Sequence, residues 1–334
     1  WTPLHFAVDA GRTAVVDLLL TKGADKHART SIGQSAYNVA EDDDDRTMMA
    51  WLAARGFDRG PAQFPELTAP YLGQKPPGKQ SEVFAPGLVS GRYQLHSNVV
   101  FSPDGKEAIW SRMDRRAMIS RLVDGRWTYP RTARFGDVAL EDSPFYHPDG
   151  TRLYDMAQRP FPGGRDTQKE NIWAWDKSPD GWTNPRPLDP GVNDLPQHWQ
   201  FSVDRAGNLY FTMTVADSLG GGDVYESRLV AGRYQKPTNL GAPISSAAGE
   251  GSPFVSPDGR FLLFSRDGDI HVSFRDEEGR WGRPVALGGT VNTAANEILP
   301  QVTPDGKFLF FLRPWKAYWV DASVIQDARR RETR

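Results

Sequence analysis

Three glutamates and two histidines recur at one position of a sequence repeat and form the main candidate site of this chain. A turn motif of the type Ser-Pro-Asp-Gly places glycines at 105, 150, 207, 259 and 306, and each candidate stands nine residues before one of them. Carboxylates and imidazoles are ligand types for a divalent cation, and crowded carboxylates shift one another's pKa, which suits acid–base chemistry. Alternatively, these residues are polar caps that bond backbone groups and water. They are His96, Glu141, His198, Glu250 and Glu297.

The chemistry open to this set divides into two hypotheses. The catalytic candidates are Glu141, Glu250 and Glu297, because facing carboxylates can act as acid and base in glycoside hydrolysis. The metal candidates are His96 and His198 with Glu250 and Glu297. The chain has no cysteine, so Zn, Mn, Ca or Fe are the divalent cations that would suit an oxygen and nitrogen ligand set. Neither histidine stands in a recognised metal-binding spacing.

A second set of charged residues follows the second apolar run of four repeats. Guanidinium groups suit carboxylate or phosphate ligands, so these arginines are further ligand-binding candidates. They can equally pair with aspartates of neighbouring loops, namely Asp114, Asp166, Asp223 and Asp269. The arginines are Arg112, Arg159, Arg266 and Arg313.

Other motifs point away from phosphate binding and serine chemistry. The glycine-rich segment 218–223 precedes a predicted strand, whereas a phosphate cradle needs a helix N-terminus, so we expect a tight loop. Ser102 and Ser256 occupy turns, and no Gly-x-Ser-x-Gly is present, which argues against a serine hydrolase. Five aromatic residues could stack sugars or anchor a partner, or could pack in the core: Trp173, Trp175, Trp199, Trp315 and Tyr318.

The repeats that carry these residues predict β-hairpins. Proline, aspartate and glycine suit successive turn positions, and apolar runs flank each copy. A third apolar run follows in each unit, and four units continue into a fourth element: 127–130, 182–185, 234–237 and 281–284. The glycine spacing of 45, 57, 52 and 47 residues, with four short strands per unit, predicts a β-propeller.

Prolines and the unassigned segment 82–89 indicate how the propeller closes. Pro144, Pro253 and Pro300 lie inside first strands, and proline belongs on an edge strand, so the first strand is innermost. The fifth unit lacks a fourth strand, and residues 82–89 are expected to supply it, which removes an exposed edge. We therefore predict a mainly all-β fold with five blades, with six blades as the alternative.

Residues 1–56 form a different, all-α module. Thr2-Pro3-Leu4-His5 recurs as residues 35–38 after a shift of 33, and this period with two helical patterns resembles the ankyrin repeat. Thr2 is expected to cap the first helix, with His5 in a structural role. The run 42–45 has four aspartates, which could trap a metal but more simply form a solvated loop. The motif begins at Trp1, so we expect the end of a longer array.

The propeller part resembles the WD40-like repeats of the TolB type over residues 68–325. The resemblance rests on the Ser-Pro-Asp-Gly-Lys hairpins, the Trp-x-x-Pro elements, and segments 71–78 and 318–322, which are similar to those of bacterial secreted members. Ala206 and Thr212-Met213-Thr214 depart from the pattern. The resemblance implies a periplasmic or extracellular interaction protein, whereas ankyrin repeats are more typical of the cytoplasm.

Composition sets further bounds on domains and partners. The 40 basic and 42 acidic residues nearly balance, so nothing indicates a nucleic acid partner. No run of 18 apolar residues predicts a membrane span. We expect ankyrin repeats over 1–56, a linker over 57–81, a propeller over 82–325 and a charged tail over 326–334.

The predicted function is that of a monomeric interaction or ligand-binding scaffold. It would use the propeller channel mouth and the ankyrin groove to bind a protein, an oligosaccharide or a small polar ligand. The alternatives are a carbohydrate-active hydrolase and a metal-dependent lyase with a divalent cation in the channel.

Overall fold

The computed structural model describes residues 1–43, 45–91, 93–136, 138–162, 170–196, 198–216 and 218–332, with only the backbone described for His198, Trp199 and Glu332. The chain divides into two compact units. The first unit contains residues 1–73 and 122–131, and the second contains residues 74–121 and 132–334. No helix in the described part of the chain is long and apolar enough to cross a membrane.

Four short helices build the first unit around one apolar core. Thr2 occupies the N-cap of the first helix, and its hydroxyl lies 2.9 Å from Nδ1 of the buried His5, as a structural role for His5 predicts. Leu4, Val16 and Leu52 lie in the shared core. The helices are α1 (Pro3–Asp9), α2 (Thr13–Thr21), α3 (Ala36–Asp42) and α4 (Arg46–Ala54).

The aspartate run has structural partners within the first unit. Asp42 ends α3 and accepts hydrogen bonds from Gln34 Nε2 at 2.6 Å and from the Tyr129 hydroxyl at 2.7 Å. Asp45 caps α4 by accepting from the Met48 N–H at 2.9 Å. Asp44 lies outside the described residues. The run therefore joins and caps two helices, although Asp42 is bonded to protein groups and is not simply solvated.

Residues 57–73, the first part of the predicted linker, belong to the first unit. Phe57 is buried in the helical core. The Gln63 N–H donates to the Gly33 carbonyl at 2.9 Å, and Gly33 has a φ of +77°. A Cβ on Gly33 would lie 1.9 Å from the Gln63 carbonyl oxygen, so glycine is required for this close approach.

The β-strands form a propeller of five blades, as predicted. In each blade the first strand is innermost and the chain moves outward. Blade 1 has Val100–Phe101, Glu107–Ser111, Ala117–Val123, Arg126–Trp127 and Arg131–Thr132; blade 2 has Asp142–Tyr146, Arg152–Ala157, Asn171–Ser178 and Gly181–Pro187; blade 3 has His198–Val203, Leu209–Met213, Asp223–Ser227 and Thr238–Asn239; blade 4 has Glu250–Val255, Phe261–Arg266, Asp269–Phe274 and Val285–Ala286; blade 5 has Ile298–Val302, Phe308–Arg313, Lys316–Asp321 and Glu82–Val83.

The ring closes where the sequence predicts it. Glu82 pairs with Trp319 and Val83 pairs with Tyr318, so the segment before blade 1 is the outermost strand of blade 5. Phe84 then packs against Phe310 and Trp319 with ring centroids 4.8 and 5.0 Å apart. This aromatic cluster joins the two ends of the propeller sequence and leaves blade 5 with its full set of strands.

The five repeated turns close with the same hydrogen bond. Each glycine N–H donates to the carbonyl of the residue three positions earlier, at 2.8 to 3.0 Å, including the divergent turn at Gly207. Inside the innermost strands, Ser143, Ser252 and Leu299 precede the prolines and have φ values of +45°, +52° and +57°. The ladders shift register at these residues, so each proline stands at a bulge where no N–H is needed.

In blades 3 and 4 the outermost strand begins later than the sequence predicts, whereas in blades 1 and 2 it begins one residue before the predicted start. In blade 4 the strand is Val285–Ala286, beyond the predicted 281–284, and in blade 3 it is Thr238–Asn239, beyond 234–237. Tyr234 instead pairs with Leu229 in a side hairpin. In these two blades the proline of the predicted element has no N–H to donate, and the ladder resumes after it. In blade 2, by contrast, Pro185 lies inside the strand at a shift of register. Side elements outside the blades are Arg134–Phe135 with Val138–Ala139, Leu229–Val230 with Arg233–Tyr234, and helix α5 (Pro190–Asn193).

The C-terminal residues form a helix, one of the two forms, a short charged helix or a tail, that the sequence leaves open for residues 321–334. Helix α6 spans Ser323–Glu332, and its residues Val324, Ile325 and Ala328 are buried in the core shared by blades 2 to 5. Arg331 donates to the Ala286 carbonyl at 2.8 Å. The charged residues of this segment therefore face outward from a packed amphipathic helix.

Candidate functional site

The central channel opens into a cavity of about 410 Å³ at the end where the innermost strands begin, and we call this cavity the cup. Residues of blades 1, 3, 4 and 5 line it, so it lies on the propeller axis. Its lining combines apolar side chains, hydroxyls and glycines. The lining residues are His96, Met113, Thr212, Gly221, Gly222, Glu250, Gly251, Ser252, Ser265, Ile298, Leu299 and Trp315.

The opposite end of the channel, which carries the repeated turns, is filled by apolar side chains. Phe101, Phe145, Val203 and Phe254 are buried there around a void of only about 60 Å³. The Phe145 ring packs near those of Phe201 and Phe254, with centroids 6.1 and 6.4 Å apart. The cup therefore has a packed apolar floor beneath it.

Blades 4 and 5 hold their predicted site glutamates in the same arrangement. Glu250 is buried and accepts hydrogen bonds from Arg266 Nε at 2.7 Å, Ser246 Oγ at 2.6 Å and the Ser246 N–H at 3.0 Å. Glu297 is also buried and accepts from Arg313 Nε at 2.7 Å, Thr293 Oγ1 at 2.7 Å and the Thr293 N–H at 3.1 Å. We call this arrangement the carboxylate clamp.

Each clamp also satisfies backbone carbonyls. Arg266 donates to the Ile244 carbonyl at 2.6 Å, and Arg313 donates to the Val291 carbonyl at 2.7 Å. These arginines therefore pair with the predicted site glutamates, and not with the predicted loop aspartates Asp223 and Asp269. Asp223 instead accepts from the Leu219 N–H and from Asn239 Nδ2, at 2.8 and 2.6 Å.

In blade 2 the arginine at the equivalent position pairs with a different carboxylate. Glu141 is partly exposed, and Arg159 Nε lies 3.7 Å from it. Arg159 pairs instead with the buried Asp155, which also accepts from Trp175 Nε1 at 2.8 Å. Burial raises the pKa of the Asp155 carboxyl, and the hydrogen bonds from Arg159 and Trp175 oppose that rise. Asp166, the partner predicted for Arg159, lies outside the described residues.

Blade 1 places an imidazole, and not a carboxylate, at the cup. His96 lines the cup, and its Nδ1 lies 2.5 Å from Oδ2 of Asp142, the first residue of blade 2. Asp142 is 1% exposed, and a guanidinium nitrogen of Arg115 lies 3.7 Å from the same carboxylate oxygen. Since Nδ1 faces the carboxylate, Nε2 is the ring nitrogen available to a ligand in the cup.

The remaining arginine, Arg112, follows its predicted pairing. It contacts Asp114 at 2.8 Å and stacks on the Tyr93 ring at 3.2 Å from the centroid. The backbone of His198 pairs with Thr212, and the His198 side chain lies outside the description. Among the described residues there is no group of three or more His, Asp or Glu side chains that could hold a metal ion.

Two large apolar side chains stand at the rim of the cup. Met113 and Trp315 lie in the turns between the second and third strands of blades 1 and 5, and they are 42% and 38% exposed. Trp315 was among the aromatic residues predicted to be available to a ligand. Trp173 and Trp175, of the same set, are buried in blade 2.

The glycine-rich segment of blade 3 forms part of the cup wall. Gly221 and Gly222 line the cup, and Gly222 bridges to Gly249 of the next blade. A Cβ on Gly220 would lie 2.1 Å from the Ala248 carbonyl oxygen, so the glycine permits two blades to approach closely. The segment is therefore a tight loop, as predicted, and no helix follows it.

The sequence pattern did not single out Asp142, Met113 or Thr212. Asp142 stands one position after the repeated site, and Thr212 stands on a second strand that departs from the family pattern. Thr212 is 3% exposed and lines the cup, and its hydroxyl has no hydrogen-bond partner in the described part of the chain. The departure of residues 212–214 from the repeat pattern is the feature of the sequence that could have pointed to Thr212.

A family model and a curated protein match short segments of this chain. Residues 1–31 match the family model of the ankyrin repeat. A 40-residue segment is 52% identical to the 2-5A-dependent ribonuclease of Mus musculus, covering 12% of this chain and 5% of that protein. The chain thus spans about a twentieth of the length of this curated relative.

Solved structures similar to this chain include propellers. A TolB-type protein from Agrobacterium tumefaciens is 19% identical with a TM-score of 0.45, covering 66% of this chain and 69% of that one. The WD40 repeats of RRP9 are 9% identical with a TM-score of 0.40, covering 74% of this chain and 99% of that one.

Proposed function

We propose that this protein is a monomeric interaction scaffold whose propeller binds a small ligand in the cup. The observation that carries the proposal is the cup itself, an open cavity of about 410 Å³ with exposed Trp315 and Met113 at its rim. Small-molecule sites are typically concave and mainly apolar, with a few placed polar groups. The cup has this character, and the polar residues of its lining include His96, Thr212, Glu250, Ser252 and Ser265.

The geometry favours this role over the carbohydrate hydrolase and the metal-dependent lyase. Two of the three predicted acid–base glutamates, Glu250 and Glu297, are buried in clamps with an arginine and a hydroxyl. A carboxylate whose oxygens already accept three hydrogen bonds has little capacity to exchange a proton with a substrate. Glu141 is not in the cup lining.

A ligand panel measured by thermal shift tests the proposal. The panel contains small apolar carboxylates, amides and alcohols, oligosaccharides, peptides and divalent metals. A ligand at 100 times its dissociation constant adds about 2.7 kcal/mol to the free energy of unfolding, which raises the melting temperature by several degrees. We expect a shift with at least one small organic ligand, and its loss in Trp315→Ala.

The matched control is Trp281→Ala, because Trp281 is a partly buried tryptophan of blade 4 outside the cup lining, stacked with Arg275. Its ligand shifts should equal those of the wild type. A ligand that shifts the wild type and Trp315→Ala equally would place binding elsewhere. No shift with any small molecule would contradict the proposal. A shift with metals alone that is lost in His96→Ala would favour the lyase.

We further propose a protein partner for the first unit. Phe6, Val15 and Leu18 of α1 and α2 are large apolar side chains that are exposed. Partners that present apolar side chains would bury them. We expect the wild-type chain to capture a protein partner. The double variant Phe6→Glu/Leu18→Glu should lose this capture, and Trp315→Ala should retain it. A partner captured equally by all three chains would contradict use of this surface.

A periplasmic or extracellular location is proposed, with the cytoplasm as the alternative. It is supported by the resemblance of segments 71–78 and 318–322 to secreted bacterial members. Osmotic-shock fractionation of cells that produce the full chain should release it with periplasmic markers. Retention with cytoplasmic markers would favour the alternative.

A further inference from the structure

We propose that the exposed face of the first helix pair is a docking site for a further helix pair of the ankyrin type. The proposal rests on the proposed protein partner of the first unit and names the class of that partner. It follows from a comparison of the two helix pairs of this unit, which are α1 with α2 and α3 with α4.

The two helix pairs are copies of one structural element. A shift of 33 positions takes the bounds of α1 to those of α3, and the bounds of α2 to those of α4. Each pair also begins with the same kind of cap, because the Thr2 hydroxyl lies 2.9 Å from His5 Nδ1 and the Ser35 hydroxyl donates to Asn38 Oδ1 at 3.0 Å. Residues 33 positions apart therefore occupy equivalent places, and their burial can be compared directly.

Three apolar positions are exposed in the first pair and covered in the second. In the first pair the side chains at these positions are 48%, 44% and 56% exposed, and they are Phe6, Val15 and Leu18. Their counterparts in the second pair are Val39, Met48 and Trp51. Val39 and Met48 are 1% and 2% exposed and belong to the core that the four helices share, and Trp51 packs against this core. The same face is thus an interface in one pair and exposed in the other.

The interface inside the first unit shows what covers such a face. Helix α1 packs against α3, and Leu4, Ala7 and Val8 of α1 are buried in the shared core together with Val39 and Met48. Positions i, i+3 and i+4 of a helix lie on one side, so the first pair contributes a Leu-x-x-Ala-Val row. A further helix pair with a row of this kind would meet Val15 and Leu18 as α1 meets the second pair.

The exposed face does not have the character of the end of a stack. In repeat proteins each unit packs on its neighbours, and a terminal unit needs a polar outer face for solubility. Phe6 contacts the Trp1 ring, with centroids 5.5 Å apart, and still leaves about half of its side chain exposed. The face therefore continues the established interface between the two pairs.

The second pair, by contrast, is covered by the chain that follows it. Phe57 is buried in the helical core. The Ser35 hydroxyl donates to the Asp58 carbonyl at 2.9 Å, and Asn38 Nδ2 donates to the Gly60 carbonyl at 3.0 Å. The first unit thus provides cover for its second helix pair, and a partner would provide it for the first.

A duplication of the first repeat within the full chain tests the inference. A copy of residues 1–33 joined directly before Trp1 keeps the period of 33 and sets one more helix pair against the exposed face. Hydrogen exchange, measured by mass spectrometry, reports local opening of the original α1 and α2. We expect their amides to exchange at least roughly tenfold more slowly than in the wild type, because a stacked neighbour suppresses opening at the end of an array. Exchange in α6 should not change.

The matched variants place the same two substitutions on either side of the new interface. Val15→Glu/Leu18→Glu in the original repeat should abolish the slowing, with the unduplicated double variant as its baseline. The same substitutions in the added copy should preserve the slowing, because they then lie on the new outer face. Both side chains are exposed in the wild type, so the baseline chain should fold.

The outcomes distinguish this inference from the proposed function. No slowing in the duplicated chain would overturn the inference, and the capture experiment would still decide whether a partner of another kind uses the face. Equal slowing with both placements of the substitutions would also overturn it. Slowing in the wild type that increases with protein concentration would place a second copy of the chain on the face instead. Slowing in the duplicated chain without any captured protein would support the inference and count against a separate partner protein.

Discussion

Blades 4 and 5 differ from blade 1 at the same position of the repeat. In blades 4 and 5 the residue nine before the turn glycine is a glutamate held by an arginine and by a hydroxyl four residues earlier. In blade 1 it is His96, which faces a carboxylate of the neighbouring blade and leaves one ring nitrogen for the cup. Where the blades repeat, the side chains hold the blade together; where they depart, a polar group becomes available to a ligand.

The largest expected effect is on stability and concerns Arg313. Arg313→Met leaves the buried Glu297 carboxylate without its cationic partner, and breaking a buried ion pair in this way typically costs about 3–5 kcal/mol. Arg266→Met should behave alike, because Glu250 has an equivalent set of partners. Urea denaturation of the full chain, monitored with a probe that reports the propeller transition, measures the change in the free energy of unfolding.

The double variant Glu297→Gln/Arg313→Met is the control for this prediction. It removes the unpaired charge as well as the arginine, so it should recover part of the lost free energy. A cost below about 1 kcal/mol for Arg313→Met would be typical of an exposed pair and would undermine the clamp. Glu297 would then regain its place as an acid–base candidate, and the hydrolase hypothesis with it.

Much of the fold could be predicted because turns and prolines act locally. The spacing of the glycines, the prolines at 144, 253 and 300, and the strand at Glu82–Val83 all have local causes in backbone chemistry. The starts of the outermost strands could not be predicted as well, because proline delays the ladder by an amount that depends on the neighbouring strand. The packing of residues 57–73 depends on contacts such as Gln63 with Gly33, which the linker-like composition does not reveal.

The candidate site was predictable in position and less so in chemistry. The nine-residue register places His96 and Glu250 in the cup, but it does not show which carboxylates are already compensated. The sequence did indicate that Glu250 and Glu297 are paired. A residue with a hydroxyl group stands four positions before each glutamate, and an arginine stands seven positions after the turn glycine of each repeat. Asp142 could not be found in this way, because its contact with His96 joins two different blades.

A smaller effect on stability is expected at His96. His96→Gln retains a side-chain donor that can reach Asp142, and Arg115 remains 3.7 Å from the same carboxylate. In the described part of the chain His96 Nδ1 lies 2.5 Å from Asp142 Oδ2 without making a hydrogen bond, so the loss should be about 1 kcal/mol and smaller than that of Arg313→Met. The same denaturation experiment measures both variants. A larger loss for His96→Gln than for Arg313→Met would reverse the comparison and make blade 1 the structural blade.

The smallest effect concerns a histidine without a carboxylate partner. His271 stacks on Phe264 in blade 4 with ring centroids 6.0 Å apart, and burial lowers its pKa from the ordinary value of 6.5, although the Asp269 carbonyl opposes the change. The unfolded chain therefore binds a proton at His271 more readily than the folded chain does. By linkage, this contribution to stability is complete above about pH 6.5 and is lost as the pH falls below it.

His271→Phe keeps a ring on Phe264 and removes the proton-binding group, so stability should fall less steeply between pH 6.5 and pH 5 than in wild type. The buried His5 and the carboxylates contribute equally to both chains, so their contributions cancel when the two slopes are subtracted. Denaturation midpoints across this range provide the measurement. Equal slopes would show that His271 takes up its proton as readily in the folded propeller as in the unfolded chain.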